Sequence, residues 1–232
     1  MPAVTVPVVP WAQFLEGFRW EAGEHVSMVG PTGSGKTTLA RGILDRRSYV
    51  VALGTKPEDK TLAGLIRDEK WKRISAWPPP PIGIRKTQRV VLWPQFRQPE
   101  DIVNQRYQLD LALRSMFTQG HWCVFADELY YLCKTLKLQA LLEMYWTQGR
   151  SIGLSLIGGT QRPAHVPLMM YDQATHLFFW KDNDETNLRR VGGLGALNAR
   201  TVRDAVAGLA KHDVLYVNTR TDQLSITRAE AK

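Results

Sequence analysis

The chain has 232 residues, with 30 Lys and Arg against 22 Asp and Glu, for a formal net charge of +8. At 44 % apolar and 22 % charged residues it has the composition of a folded protein with a sizeable core, which excludes a disordered tail or a collagen-like repeat. No apolar run reaches the roughly 18 residues needed to cross a bilayer, and two cysteines, Cys123 and Cys133, exclude a disulfide scaffold. Residues 1–11 are apolar and punctuated by proline, and they lack the basic leader of a signal peptide. A sequence pI near 9.6 leaves room for a polyanionic partner.

Short apolar runs alternate with helix-like runs along most of the chain, which predicts an α/β fold with a mostly parallel sheet and helices on both faces. The expected strands are His25–Val29, Tyr49–Leu53, Arg89–Trp93, Trp122–Ala126, Leu154–Gly158 and His176–Trp180. They are apolar at both odd and even positions, as strands covered on both faces are. One helix is expected from Pro99-Glu100-Asp101 to before Gly120, with two apolar rows at four-residue spacing: Val103, Tyr107, Leu111 and Leu109, Leu113, Phe117. A second is expected from Leu129 to Gln148, stopped by Gly149. Lys70–Arg89, with Trp71, Trp77, the prolines Pro78 to Pro81 and scattered Lys and Arg, reads as an extended loop, because proline removes amide donors and fixes φ. Residues 213–228 read as a C-terminal β-hairpin around Asn218–Asp222. Residues 1–20 read as an N-terminal extension, and no linker or repeat divides the chain.

Gly30-Pro31-Thr32-Gly33-Ser34-Gly35-Lys36-Thr37 fits G-x-x-x-x-G-K-[ST], directly after one expected strand and before a helix, with Thr38 following. In that context the stretch from Gly30 to Thr38 would wrap phosphate oxygens with its backbone N–H groups, Pro31 alone having none, and the helix end would add its positive dipole. Lys36 would reach the β- and γ-phosphates of ATP, and Thr37 would offer a hydroxyl to Mg²⁺. The apolar run Trp122–Ala126 ends in Asp127-Glu128. Strand ends of a parallel sheet face the ligand crevice, so Asp127 is expected to hold Mg²⁺ and Glu128 to activate water; the other reading is an acid pair capping a helix. A second acid directly after the first favours hydrolysis over binding alone.

The stretch from Gly149-Arg150 to Thr160-Gln161-Arg162-Pro163 places Gln161 at another strand end, where an amide would bridge the γ-phosphate and water. Arg150 lies outside the local cradle. It suits a guanidinium that completes a neighbouring subunit's site, or is an ordinary surface arginine; Arg162 is the next candidate.

Taken together, these segments resemble the FtsK–HerA superfamily of P-loop motors. Arg150, the T-Q-R-P run at Thr160–Pro163, Lys181–Leu188 and Gly192-Gly193 are similar to that family's segments. Where relatives often read D-S-R-T, this chain has Asp184-Glu185-Thr186, which leaves Arg189 and Arg190 as substitutes one turn on. The resemblance implies a RecA-like ATPase that assembles as a ring, a homohexamer, and moves double-stranded DNA without reading its sequence. The chain's modest size makes it most like viral genome-packaging ATPases, which act in the host cytoplasm at a virion packaging vertex on a capsid or portal protein. A motor that moves or assembles proteins, and a cellular DNA translocase, remain alternatives. The basic loop at 70–89 would then touch DNA, dock on a partner, or be a solvated meander. His25, His165 and His212 lack metal-ligand spacing.

Overall fold

The computed structural model describes residues 6–79, 87–192 and 199–230. Parts of the expected N-terminal extension (1–5) and of the basic loop, including Arg85 and Lys86, lie outside the described residues, as does Gly193. In chain order the elements are α1 (Trp11–Gly17), β1 (Val26–Val29), α2 (Lys36–Leu44), β2 (Tyr49–Leu53), α3 (Lys60–Arg67), β3 (Lys72–Ile74), β4 (Gln88–Leu92), α4 (Ile102–Gln119), β5 (Cys123–Ala126), α5 (Gln139–Gln148), β6 (Ser155–Thr160), α6 (Met169–Asp172), β7 (His176–Trp180), α7 (Glu185–Gly192), α8 (Ala199–Gly208), β8 (Val214–Asn218) and β9 (Gln223–Thr227).

The strands form one nine-stranded sheet in the order β3-β4-β2-β5-β6-β1-β7-β8-β9. From β3 to β7 every pairing is parallel, and β8 and β9 are added antiparallel. The architecture is the mixed α/β one that the alternating runs predict. Tyr49–Leu53 and His176–Trp180 match their expected bounds, and the other expected strands are offset by one or two residues.

Alternate residues of each strand enter two cores. Val50, Ala52, Cys123 and Phe125 pack with Leu39, Ile43, Leu62 and Leu65 of α2 and α3, while Val51, Leu53, Val124 and Ala126 pack with Leu109, Leu113, Leu142 and Tyr145 of α4 and α5. Burial on both faces explains why the strands read as unbroken apolar runs rather than alternating ones.

Four expectations are corrected. First, only one of the two apolar rows on α4 is buried: Leu109, Leu113 and Met116 are fully covered, whereas Val103 and Tyr107 are 73 % and 61 % exposed. At about 100° per residue the two rows lie about 120° apart around the helix, and the sheet covers one side. Second, the helix expected from Leu129 to Gln148 is broken. A wider π-type turn spans Tyr131–Thr135, and α5 begins afresh at Gln139. The Leu136 N–H donates to the Tyr131 carbonyl at 3.0 Å and the Leu138 N–H to that of Leu132 at 3.0 Å, with Lys137 between them at φ 56°. This reversal buries Leu132, Leu136 and Leu138 together.

Third, the Lys70–Arg89 segment is not a loop throughout. Lys72–Ile74 is an edge strand parallel to β4, and Trp71 and Trp77 are buried in the cores. The Trp77 ring meets Trp122 edge-on at 5.9 Å, and its backbone N–H donates to Gln108 Oε1 at 2.9 Å. Its tryptophans are therefore packing residues, neither a partner surface nor part of a solvated meander. Fourth, the C-terminal hairpin turns through the four residues between Asn218 and Gln223, one fewer than expected.

The described part of the N-terminal extension packs on the body of the fold. Val8 pairs with Ile226 of β9, and the Val9 N–H donates to the Ile226 carbonyl at 2.8 Å. Phe14 and Phe18 then meet Phe178 and Tyr216 edge-on or tilted.

Lys137 is an exposed, non-glycine residue in left-handed backbone, a conformation that costs about 1 kcal/mol in an L-residue. Lys137→Gly is expected to raise unfolding free energy by about 0.5 kcal/mol, the gain being reduced by the greater freedom of glycine in the unfolded chain. Urea unfolding followed by circular dichroism measures it.

Candidate nucleotide site

The central strands β5, β6 and β1 lie side by side in parallel register, with Ala126 opposite Gly158 and Thr160 opposite Val29. Their carboxyl ends therefore share one rim. The chain leaves that rim as Asp127-Glu128 after β5, Gln161 after β6 and the Gly30–Gly35 turn after β1. These segments line a cavity of about 490 Å³ together with Lys56, Glu58 and Asp59 from the β2–α3 connection and Lys60 and Thr61 from the first turn of α3.

The glycine turn is anchored where the Gly30 N–H donates to the Thr160 carbonyl at 3.1 Å. Gly35, at φ 113°, caps α2 in a conformation that favours glycine, so that α2 opens toward the cavity. Lys36 is buried, and its ammonium donates to the carbonyls of Gly30 at 2.7 Å and Pro31 at 2.9 Å. Burial pushes its pKa down, opposed by the charges of Asp127 and Glu128. Of the expected cradle residues, Thr32, Gly33, Gly35, Lys36, Thr37 and Thr38 line the cavity; Gly30, Pro31 and Ser34 form the turn behind them.

Thr37 Oγ1 donates to Asp127 Oδ2 at 3.3 Å. Asp127 Oδ1 is buried without a hydrogen-bond partner, and burial pushes the carboxyl pKa up, against the pull of Lys36 and Lys56. An orphaned carboxylate oxygen beside a hydroxyl is a hard-oxygen pair of the kind that suits Mg²⁺. Gly159 leaves the room for it: a Cβ there would stand 2.7 Å from the Asp127 carbonyl and 3.1 Å from Oδ1. Burial also raises the pKa of Glu128, with Lys56 the largest opposing influence.

Gln161 joins both sides of the cavity. Its Nε2 donates to Glu128 Oε2 at 3.2 Å, and its Oε1 accepts from Thr32 Oγ1 at 2.7 Å. The expected Gln161, Glu128, Asp127, Thr37 and Lys36 are thus brought together.

Arg150 is not part of this cluster. It sits in the turn before β6, beside Gly23 and His25 at the amino-terminal ends of β6 and β1. His25 is held down to about 4 by burial and by the Arg150 charge. β6 has six residues, so Arg150 is about 20 Å from its own chain's cradle. Arg162 lies over the Tyr130 ring at 6.0 Å, Arg190 over Tyr171 at 5.8 Å, and Arg189 is exposed near Glu185. None of the three lines the cavity of its own chain. Among the described residues no cluster of His, Cys, Asp and Glu forms a separate metal site.

Sequence reasoning missed the β2–α3 connection. Lys56 follows β2, whose end adjoins that of β5. The available signal was a charged run, Lys56-Pro57-Glu58-Asp59-Lys60, directly after an apolar strand.

No family model matches the sequence, and no curated protein matches it. Solved structures do share its fold. The genome packaging NTPase B204 of Sulfolobus turreted icosahedral virus 2, in complex with sulfate, aligns with a TM-score of 0.67 at 17 % identity over 92 % of this chain and 100 % of that one. B204 of Sulfolobus turreted icosahedral virus, described as a DNA-packaging ATPase, aligns with a TM-score of 0.63 at 16 % identity over 92 % and 100 %. The plasmid coupling protein TrwB, with the ATP analogue ADPNP, aligns with a TM-score of 0.55 at 12 % identity over 98 % and 94 %. The chain shares the RecA-like P-loop NTPase fold of these neighbours.

Proposed function

We propose that this chain is a single-domain ATPase that assembles as a ring, a homohexamer, and drives double-stranded DNA by ATP hydrolysis, packaging a viral genome into a capsid. The observation that carries the ATPase reading is the meeting of the glycine turn, Asp127-Glu128 and Gln161 in one cavity. The packaging reading draws on the fold shared along the full length of B204, a genome packaging NTPase that has been seen with AMPPCP and with ATPγS.

The N–H groups of the turn from Thr32 to Gly35 and the opening of α2 bind the phosphates, and Lys36 exchanges its two backbone carbonyls for β- and γ-phosphate oxygens. Thr37 and Asp127 would hold Mg²⁺, which neutralises phosphate charge when bound. Glu128 accepts the proton of the water that attacks the γ-phosphorus, and Gln161 orients that water while fixing the carboxylate. Arg150 reaches the site of the adjoining subunit, since its own lies at the far end of β6. The net charge of +8 favours phosphate contacts along duplex DNA in the ring channel. Among the described residues no helix is long and apolar enough to cross a membrane. The proposed place of work is the host cytoplasm, at a packaging vertex.

Glu128→Gln is expected to bind ATP like the parent chain and to hydrolyse it at least about 100-fold more slowly in a phosphate-release assay. Arg150→Ala and Lys36→Ala chains, each inactive alone, should recover part of the activity when mixed, because some interfaces then carry both intact halves. Failure of verified mixed rings to do so assigns Arg150 to the surface. Duplex DNA should stimulate ATP turnover, with the stimulation fading as salt rises through the physiological range; turnover indifferent to DNA would favour a motor that moves or assembles proteins.

A further inference from the structure

Lys56 has a rigid backbone, and among the described residues its ammonium makes no hydrogen bond or salt bridge, though its charge acts on Asp127 and Glu128. The Gly54 N–H donates to the Leu92 carbonyl at 2.8 Å, the Thr55 carbonyl accepts from Gln105 Nε2 at 3.2 Å, and the Lys56 carbonyl accepts from Trp93 Nε1 at 2.7 Å. Gln105 is fully buried, and its amide is oriented by Tyr131, whose hydroxyl donates to Oε1 at 2.7 Å. Trp93 closes over Gly54, where a Cβ would stand 2.7 Å from the indole ring. Three separate contacts thus hold three successive residues at the rim. The Lys56 side chain itself is exposed and lines the phosphate cavity, and among the described residues it forms no salt bridge.

β2, which ends just before this loop, pairs with β5, which ends in Asp127-Glu128. Lys56 therefore enters the cavity from the side of the carboxylates, across from the glycine turn that wraps the inner phosphates. A cation at that place, beside Glu128, faces whatever part of the ligand extends beyond the turn.

Resting on the ATPase reading, we propose that Lys56 is a second phosphate lysine: it binds the terminal phosphoryl oxygens of the triphosphate in its own chain, opposite Lys36, and so distinguishes ATP from ADP. Lys36 spans the β- and γ-phosphates and serves both nucleotides, whereas Lys56 finds a partner only when the third phosphate is present. As that group leaves, Lys56 holds the charge that develops on it.

The test compares Lys56→Ala and Lys56→Arg with the parent chain by calorimetric binding of ADP and of ATPγS in the presence of Mg²⁺, alongside steady-state turnover. Lys56→Ala should bind ADP within about twofold of the parent, bind ATPγS about tenfold more weakly and lose about tenfold or more in kcat. Lys56→Arg should recover most of the ATPγS affinity, since it restores the charge. Lys56→Ala losing affinity for ADP and ATPγS equally, or for neither, overturns the proposal. Equal loss marks a disturbed loop, and thermal unfolding of the variant detects that. A parent chain that binds both nucleotides and hydrolyses no ATP overturns the ATPase reading, and the binding comparison still decides the role of Lys56.

Discussion

The functional architecture depends on the parallel register of three neighbouring strands. β5, β6 and β1 pair so that Ala126, Gly158 to Thr160 and Val29 end at a common level. Side chains separated by up to about 130 positions in sequence thereby meet within hydrogen-bond distance, as Thr32 meets Gln161 and Gln161 meets Glu128. The strands are buried on both faces, which fixes register strongly, because a slip of one residue would turn each apolar set toward the wrong core. Precision at the rim is thus a by-product of packing below it.

The rim holds charges in an unfavourable balance. Lys36 and Asp127 are both desolvated, Asp127 Oδ1 lacks a partner, and Lys36 is satisfied only by backbone carbonyls. Buried polar groups in this condition are expensive, and a site that tolerates them is organised for a ligand that supplies the missing contacts. A phosphate chain with a divalent cation has that complement: oxygens for the ammonium and the N–H groups, and a positive centre for the carboxylate.

Much of this was legible in the sequence. The phosphate turn is contiguous, so its residues declare themselves together. Asp127-Glu128 and Gln161 each follow an apolar run, and the rule that ligands gather at the carboxyl ends of parallel strands brings them to one place. What escaped was non-local. Nothing in Gly54-Thr55-Lys56 alone says that β2 adjoins β5, so nothing marked Lys56 as part of the site. The break at Lys137 carries neither glycine nor proline, and the turn is set by the burial of Leu136 and Leu138 on either side. Proline and tryptophan disguised an edge strand at Lys72–Ile74, because Trp71 and Trp77 find their cover in distant elements. On α4, spacing alone cannot say which of two apolar rows the sheet will take.

The two margins of the sheet are finished in different ways. At β9, Pro7 and Val9 occupy hydrogen-bonding groups of Ile226, while at the opposite margin β3 is three residues long and turns Lys72 and Arg73 outward. Long unpaired ladders invite strand-to-strand fusion between copies, and both devices discourage it. In the proposed ring, contacts between neighbouring copies would fall to helices, turns and side chains, which can slide and re-seat without unzipping a backbone. Joints of that kind suit subunits that must shift against one another over many cycles.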